Sequence, residues 1–183
     1  MPDPKEIALP FNFTPRNYQE KAMVALDSGI DRIITIWPRR SGKDKTWFNM
    51  VVKKMFERVG NYFYMFPTYN QGKKILWNGI DRSGFKTLDH IPLSVRKRTD
   101  NSEMLIELVN GSTFQVIGTD NIDSVVGTNP VGCVFSEYPL QDPAAWGYIR
   151  PILAENKGWA VFDYTPRGKM NHGYDLYQMT KKS

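Results

Sequence analysis

The 183-residue chain has one cysteine, Cys133, so no disulfide can close within it, and that usage fits a reducing, cytoplasmic setting. Long apolar runs are absent too. The longest are strand-sized pieces such as residues 32–37, far short of the roughly 18 residues a membrane-spanning helix needs, so no membrane partner is expected. Residues 1–13 hold three prolines and lack a basic start followed by an apolar stretch, so no secretory signal is expected there. Low-complexity stretches are missing as well, and the 41% hydrophobic and 23% charged content excludes a fibrous or disordered chain.

What is present suits one domain spanning 1–183, a length able to bury about 70% of its unfolded surface around a single core. The net charge of +5 and pI near 9.2 suit work beside a polyanion. Composition alone does not decide for a nucleic-acid partner, because the charge is spread out, with one tight basic cluster at Arg96-Lys97-Arg98.

Along the chain, residues 14–28 read as a helix with Thr14 as cap, Pro15 at the first helical position, and Tyr18, Ala22, Ala25 and Leu26 on one face before Gly29. Arg32 to Trp37 is β-branched and nearly all apolar, the pattern of a strand buried on both faces of a parallel sheet. Residues 43–59 carry helical columns at Trp47, Val51, Met55, Val59 and at Phe48, Val52, Phe56, with Lys53, Lys54 and Arg58 turned away. Tyr62 to Phe66 is a second strand, closed by Pro67-Thr68 and followed by a helix over 69–79. The β-α-β-α order predicts a parallel sheet with right-handed crossovers. Residues 104–108 and 113–117 read as an antiparallel hairpin around Asn110-Gly111, and 132–135 and 159–162 as two more short strands ending in polar residues.

The strongest chemical signal is Arg39-Arg40-Ser41-Gly42-Lys43, set between a buried strand and an amphipathic helix. Backbone N–H groups at that helix start would hold a β-phosphate, and Lys43 would reach the β and γ oxygens. Against the pattern G-x-x-x-x-G-K-[ST], Trp37 occupies the first glycine position and Asp44 replaces the magnesium-ligating hydroxyl. A carboxylate beside a triphosphate is repulsive unless a cation lies between, so Asp44 reads as a metal ligand, direct or through water, or else as a favourable helix-start acid. On the strand Val131 to Ser136, Ser136 stands where an acid is expected and Glu137 follows, placed to orient and deprotonate water. Asp44 on the loop and Ser136 on the strand thus exchange the usual hydroxyl and carboxylate, which predicts that the two are adjacent and jointly hold Mg²⁺.

Residues 11–19 put aromatics and Gln19 at the first helix start. Gln19 would pair with adenine N6 and N7, and Tyr18 or Phe13 would stack on the base, although aromatics there also suit a core. Thr165-Pro166-Arg167-Gly168 brings a hydroxyl and a guanidinium to the same sheet edge, the place of a γ-phosphate sensor.

Taken together, Gln19, residues 39–44, Phe66-Pro67-Thr68, residues 135–138 and Thr165-Pro166-Arg167-Gly168 resemble the N-terminal ATPase of large terminases from tailed phages and prophages, across nearly the whole chain. The resemblance implies an α/β fold of the RecA-like (ASCE) P-loop NTPase kind, a mainly parallel sheet flanked by helices with an antiparallel hairpin added. It implies an arginine-bearing Walker A loop with nucleotide contacts from Tyr18 and Gln19 and from Arg39 through Lys45 and Thr46, and a catalytic Glu137. It also implies a coupling motif at residues 165–168. ATP and Mg²⁺ are the expected substrate and cofactor. Double-stranded DNA, a portal, a small terminase subunit and a homo-oligomeric ring are the expected partners, in the cytoplasm of an infected bacterium. The RNase H-like nuclease of such terminases is not expected in these residues. For the arginine that steadies the transferring phosphoryl group, Arg39 or Arg40 is placed to act within the subunit, with Arg150 and Arg167 as candidates across an interface or as plain surface charges. Two rivals remain: the first lobe of a superfamily 2 helicase, and a non-hydrolysing ATP-binding assembly module.

Overall fold

The computed structural model describes residues 13–182. Phe11, part of the segment read as base-binding, lies outside them. One seven-stranded sheet runs in the order β1-β7-β6-β2-β5-β4-β3. The strands are β1 (Arg32–Ile36), β2 (Asn61–Phe66), β3 (Arg96–Asp100), β4 (Leu105–Leu108), β5 (Thr113–Gly118), β6 (Pro130–Ser136) and β7 (Trp159–Tyr164). The first five in spatial order are parallel, whereas β4 runs antiparallel to both its neighbours, β5 and β3. The predicted α/β sheet with its hairpin addition is therefore the fold observed.

Helices α1 (Asn17–Asp27) and α2 (Lys43–Glu57) cover one face, and α4 (Ala144–Glu155) and α5 (His172–Thr180) the other. α3 (Tyr69–Gly72) widens into a π turn at Lys73–Trp77, so the helix expected over 69–79 stops two residues earlier and changes its winding. None of the described helices is long and apolar enough to cross a membrane.

Several local expectations need correcting. α1 is capped at Arg16, not Thr14, because Gln19 Oε1 reaches back 2.8 Å to the Arg16 N–H. β1 is an edge strand with alternating burial; the strands buried on both faces are interior ones, β6 throughout and β2 over residues 62–66. An edge position leaves Ile34 and Ile36 half-covered although they are apolar. β3 is the basic cluster itself, paired through Lys97 to Glu107 at 2.7 Å and carrying the charge that protects an exposed edge. β7 continues through Asp163 and Tyr164, two residues beyond the strand read from sequence.

Candidate active site

β1 delivers the chain to the loop at 37–42. Trp37, in place of the first glycine, stacks parallel to Trp47 of α2 at 6.2 Å and meets the edge of Tyr18 at 5.2 Å. Tyr18 Oη and Gln19 Nε2 both donate to the Ser41 carbonyl, at 2.8 and 2.7 Å. Gln19 is buried, and its carboxamide, assigned to adenine by the sequence reading, here fastens the loop to α1. Arg40 (φ 61°) and Gly42 (φ 78°) both take left-handed backbone, and a Cβ on Gly42 would sit 3.1 Å from Gln19 Nε2. Arg39 and Arg40 are exposed on the loop. The buried Ser41 Oγ has no hydrogen-bond partner.

Lys43 opens α2 and reaches across to β6 and β7. Its Nζ pairs with Glu137 Oε1 and donates to Thr165 Oγ1 at 2.8 Å, while Thr165 donates onward to Glu137 Oε1 at 3.2 Å. Arg167 Nε stands 3.6 Å from Glu137 Oε2, an oxygen without a hydrogen bond of its own. Burial pushes the Glu137 carboxyl up, but the Lys43 ammonium and then Arg167 outweigh it and hold the group below the usual carboxylate range. Glu137 itself has φ 53° and ψ 44°, the strained non-glycine backbone that gathers at working sites.

Beneath the start of α2 a row of polar side chains crosses the sheet. Ser136 Oγ donates to Asp44 Oδ1 at 2.7 Å and Tyr64 Oη donates to the same oxygen at 3.0 Å, so the two groups paired as metal donors are in contact. Next to Ser136 on β7 lies Asp163, fully buried; its Oδ1 accepts from Thr35 Oγ1 at 2.9 Å, and Thr35 accepts from Trp47 Nε1 at 3.1 Å. Burial raises both the Asp44 and the Asp163 carboxyls, and the nearby Asp44 charge adds to the effect on Asp163.

The remaining residues read as nucleotide-binding sit differently. Thr46 is buried with its hydroxyl turned back to the Gly42 carbonyl at 2.9 Å, and Lys45 points to Asp81 at 3.6 Å. Pro166, Arg167 and Gly168 follow β7 at the same edge and are exposed, whereas Arg150 is an exposed side chain of α4. Sequence reasoning missed Asp163, Tyr64 and Thr35. Asp163 was visible as a lone acid in an apolar run, Trp-Ala-Val-Phe-Asp-Tyr, a pattern a buried strand tolerates only with a partner.

A loop between a parallel strand and a helix, a lysine at the helix start, and a glutamate and threonine from neighbouring strand ends converge on one edge. The fold that brings them together recurs in solved structures. The chain superposes on the ATPase domain of the Thermus phage P74-26 large terminase with a TM-score of 0.73 at 20% identity, over 92% of this chain and 71% of that one. The fold is that of a large terminase ATPase domain. The large terminase of the thermophilic bacteriophage D6E gives a TM-score of 0.74 at 15% identity, over 92% of this chain and 44% of its own, and its complex with ADP gives 0.73 at 15% identity, over 91% and 43%. No family model and no curated protein matches the chain in sequence. In this terminase ATPase fold the strand carrying the loop is separated from β2 by β6 and β7, so Glu137 and Thr165 arrive beside Lys43.

Proposed function

We propose that the chain is the ATPase domain of a phage DNA-packaging motor, hydrolysing ATP to drive double-stranded DNA through a portal into a procapsid. The neighbour crystallised with ADP supports nucleotide binding. The observation that carries hydrolysis is the Lys43 contact with both Glu137 and Thr165. A triphosphate entering the loop offers Lys43 denser negative charge than one carboxylate does. Lys43 then turns to the phosphates, and Glu137 is released to orient water and take its proton. Thr165, bonded to both partners, senses the exchange, and the residues that follow it carry the change to DNA. Arg39 or Arg40 steadies the phosphoryl charge within the subunit. In the assembled ring Arg150 and Arg167 are the candidates across the interface, with a small terminase subunit completing the machine in the cytoplasm of the infected host.

The site suits Mg²⁺. Asp44 and Ser136 present hard oxygens in mutual contact, and the buried Asp163 Oδ2 beside them has no hydrogen-bond partner. Bound there, Mg²⁺ would offset the charge of the β and γ phosphates. Asp44 and Ser136 would hold it, and Tyr64 keeps Asp44 oriented.

The test is Mg·ATP turnover against protein concentration for wild type, Glu137→Gln and Lys43→Ala. Glu137→Gln is expected to lose at least about 100-fold in rate while still binding nucleotide, and Lys43→Ala to lose binding as well. A rate rising faster than linearly with concentration assigns the arginine to a neighbouring subunit, and a linear rise assigns it to Arg39 or Arg40. Undiminished turnover in Glu137→Gln would sink the reading.

A further inference from the structure

The buried Asp163 has a position that neither the loop nor strand β6 explains. Its side chain is fully inaccessible, yet only Oδ1 is hydrogen-bonded, to Thr35, and Oδ2 has no partner. A buried carboxyl oxygen without a partner is destabilising, and burial favours the neutral group there unless a cation meets it. Among the described residues no lysine or arginine is paired with Asp163; the Lys43 ammonium pairs with Glu137 and donates to Thr165. Ser136 is no donor either, since its one hydroxyl hydrogen goes to Asp44.

The register places the residue that carries that oxygen. Asp163 pairs in the sheet with Ser136 on one side and with Thr35 on the other. Along β7, Val161 and Asp163 share the face that packs under α2, while Ala160, Phe162 and Tyr164 face the opposite core. Asp163 therefore sits one strand over from Ser136 on the same face, within electrostatic reach of Asp44, Lys43 and Glu137.

Resting on the Mg·ATP reading above, we propose that Asp163 is the second carboxylate of the cation site, supplying from β7 the acid that β6 lacks at Ser136. One step sideways between parallel strands moves a side chain by about 5 Å, a gap that one bound water bridges. Thr35 and Trp47 then act as its supports. The chain Trp47 Nε1 to Thr35 to Asp163 Oδ1 leaves the other oxygen free for the cation, as carboxylates near metals are held by hydrogen bonds behind them. Because Trp47 also stacks on Trp37 in the loop, the same chain ties the acid to the phosphate-binding segment.

The test measures binding of a fluorescent ADP analogue to the intact chain at increasing Mg²⁺ and separately in EDTA, with folding checked by thermal melting. In Asp163→Asn, which keeps the oxygen that Thr35 needs, the Mg²⁺ midpoint is expected to rise about tenfold while affinity in EDTA stays unchanged. The exchange variant Ser136→Asp/Asp163→Ser, with the carboxylate moved to β6, is expected to return the midpoint towards wild type, and it decides the matter should Asp163→Asn not fold. An unchanged midpoint in Asp163→Asn, equal weakening with and without Mg²⁺, or an exchange variant that folds without regaining the wild-type midpoint would overturn the proposal. Wild-type binding without any Mg²⁺ dependence would instead remove the Mg·ATP reading, and this inference with it.

Discussion

The two faces of the same four strands differ sharply at their carboxyl ends. Under α2 stand Thr35, Asp163, Ser136 and Tyr64, buried and polar, each bonded to another member of the row or to the helix start. On the opposite face the alternate residues are Phe135, Phe162 and Tyr164, roofed by Tyr138 and Trp146. Phe162 stacks on Phe135 at 5.0 Å and takes the edges of Tyr138 and Trp146 at 4.8 Å each. Period-two alternation sends neighbouring residues to opposite sides, so one set of strands carries both a site and a core. One face is a packed apolar core, the other a row of buried, hydrogen-bonded polar groups.

The largest stability loss is expected from the apolar face. Phe162→Ala is expected to cost about 3–5 kcal/mol in denaturant unfolding, because the ring is nearly inaccessible and packed on three sides. Nucleotide affinity per folded molecule should stay as in wild type; a specific loss of binding would break the comparison.

Close behind is a pH effect on the α2 side. Burial, then the Lys45 charge, lowers the His90 imidazole from 6.5 to about 4. The folded protein therefore prefers neutral His90. Its contribution is fully present above pH 6.5 and is lost as pH falls towards 4, by up to about 3 kcal/mol. Subtracting the stability-pH curve of His90→Gln from that of wild type isolates this slope, and a flat difference would remove the assignment.

Thr35→Val sharpens the comparison within the polar row. It removes the bond that Asp163 Oδ1 accepts and the acceptor for Trp47 Nε1, at an expected cost of about 1–3 kcal/mol. The smallest effect lies at the far sheet edge, where the Lys97 side chain is 64% exposed. Lys97→Ala should change stability by no more than about 1 kcal/mol, and less at high salt.

The fold was legible where local pattern and position agree. Residues 32–36, the helix from Lys43 and the strands at 62–66 and 113–117 follow from periodicity, and Gly111, at φ 92°, from the needs of the turn between β4 and β5. α4 was not, although Ala145, Ile149 and Leu153 line its buried face at helical spacing, because Gly147 and Pro151 interrupt it with the residues that usually end helices. β3 escaped notice since an edge strand of charged residues shows no apolar alternation. α5 rests on its cap, Asn171 Oδ1 accepting from the Tyr174 N–H at 3.0 Å, and buries only Gly173.

Local pattern alone was enough for the alternation of strands and helices, the loop at 37–43 with its lysine, and the place of Glu137 at the end of a strand, because each is written in adjacent residues. Tertiary structure decided which strands are neighbours. Only the insertion of β7 and β6 between β1 and β2 brings Thr35, Asp163, Ser136 and Asp44 under one helix end, from four separate segments of the chain. Burial then decided that Gln19 fastens the loop and that Asp163 stands with one oxygen unmatched. Hydrogen-bond partners and desolvation depend on what surrounds an atom in space, and neither is encoded in the spacing of residues along the chain.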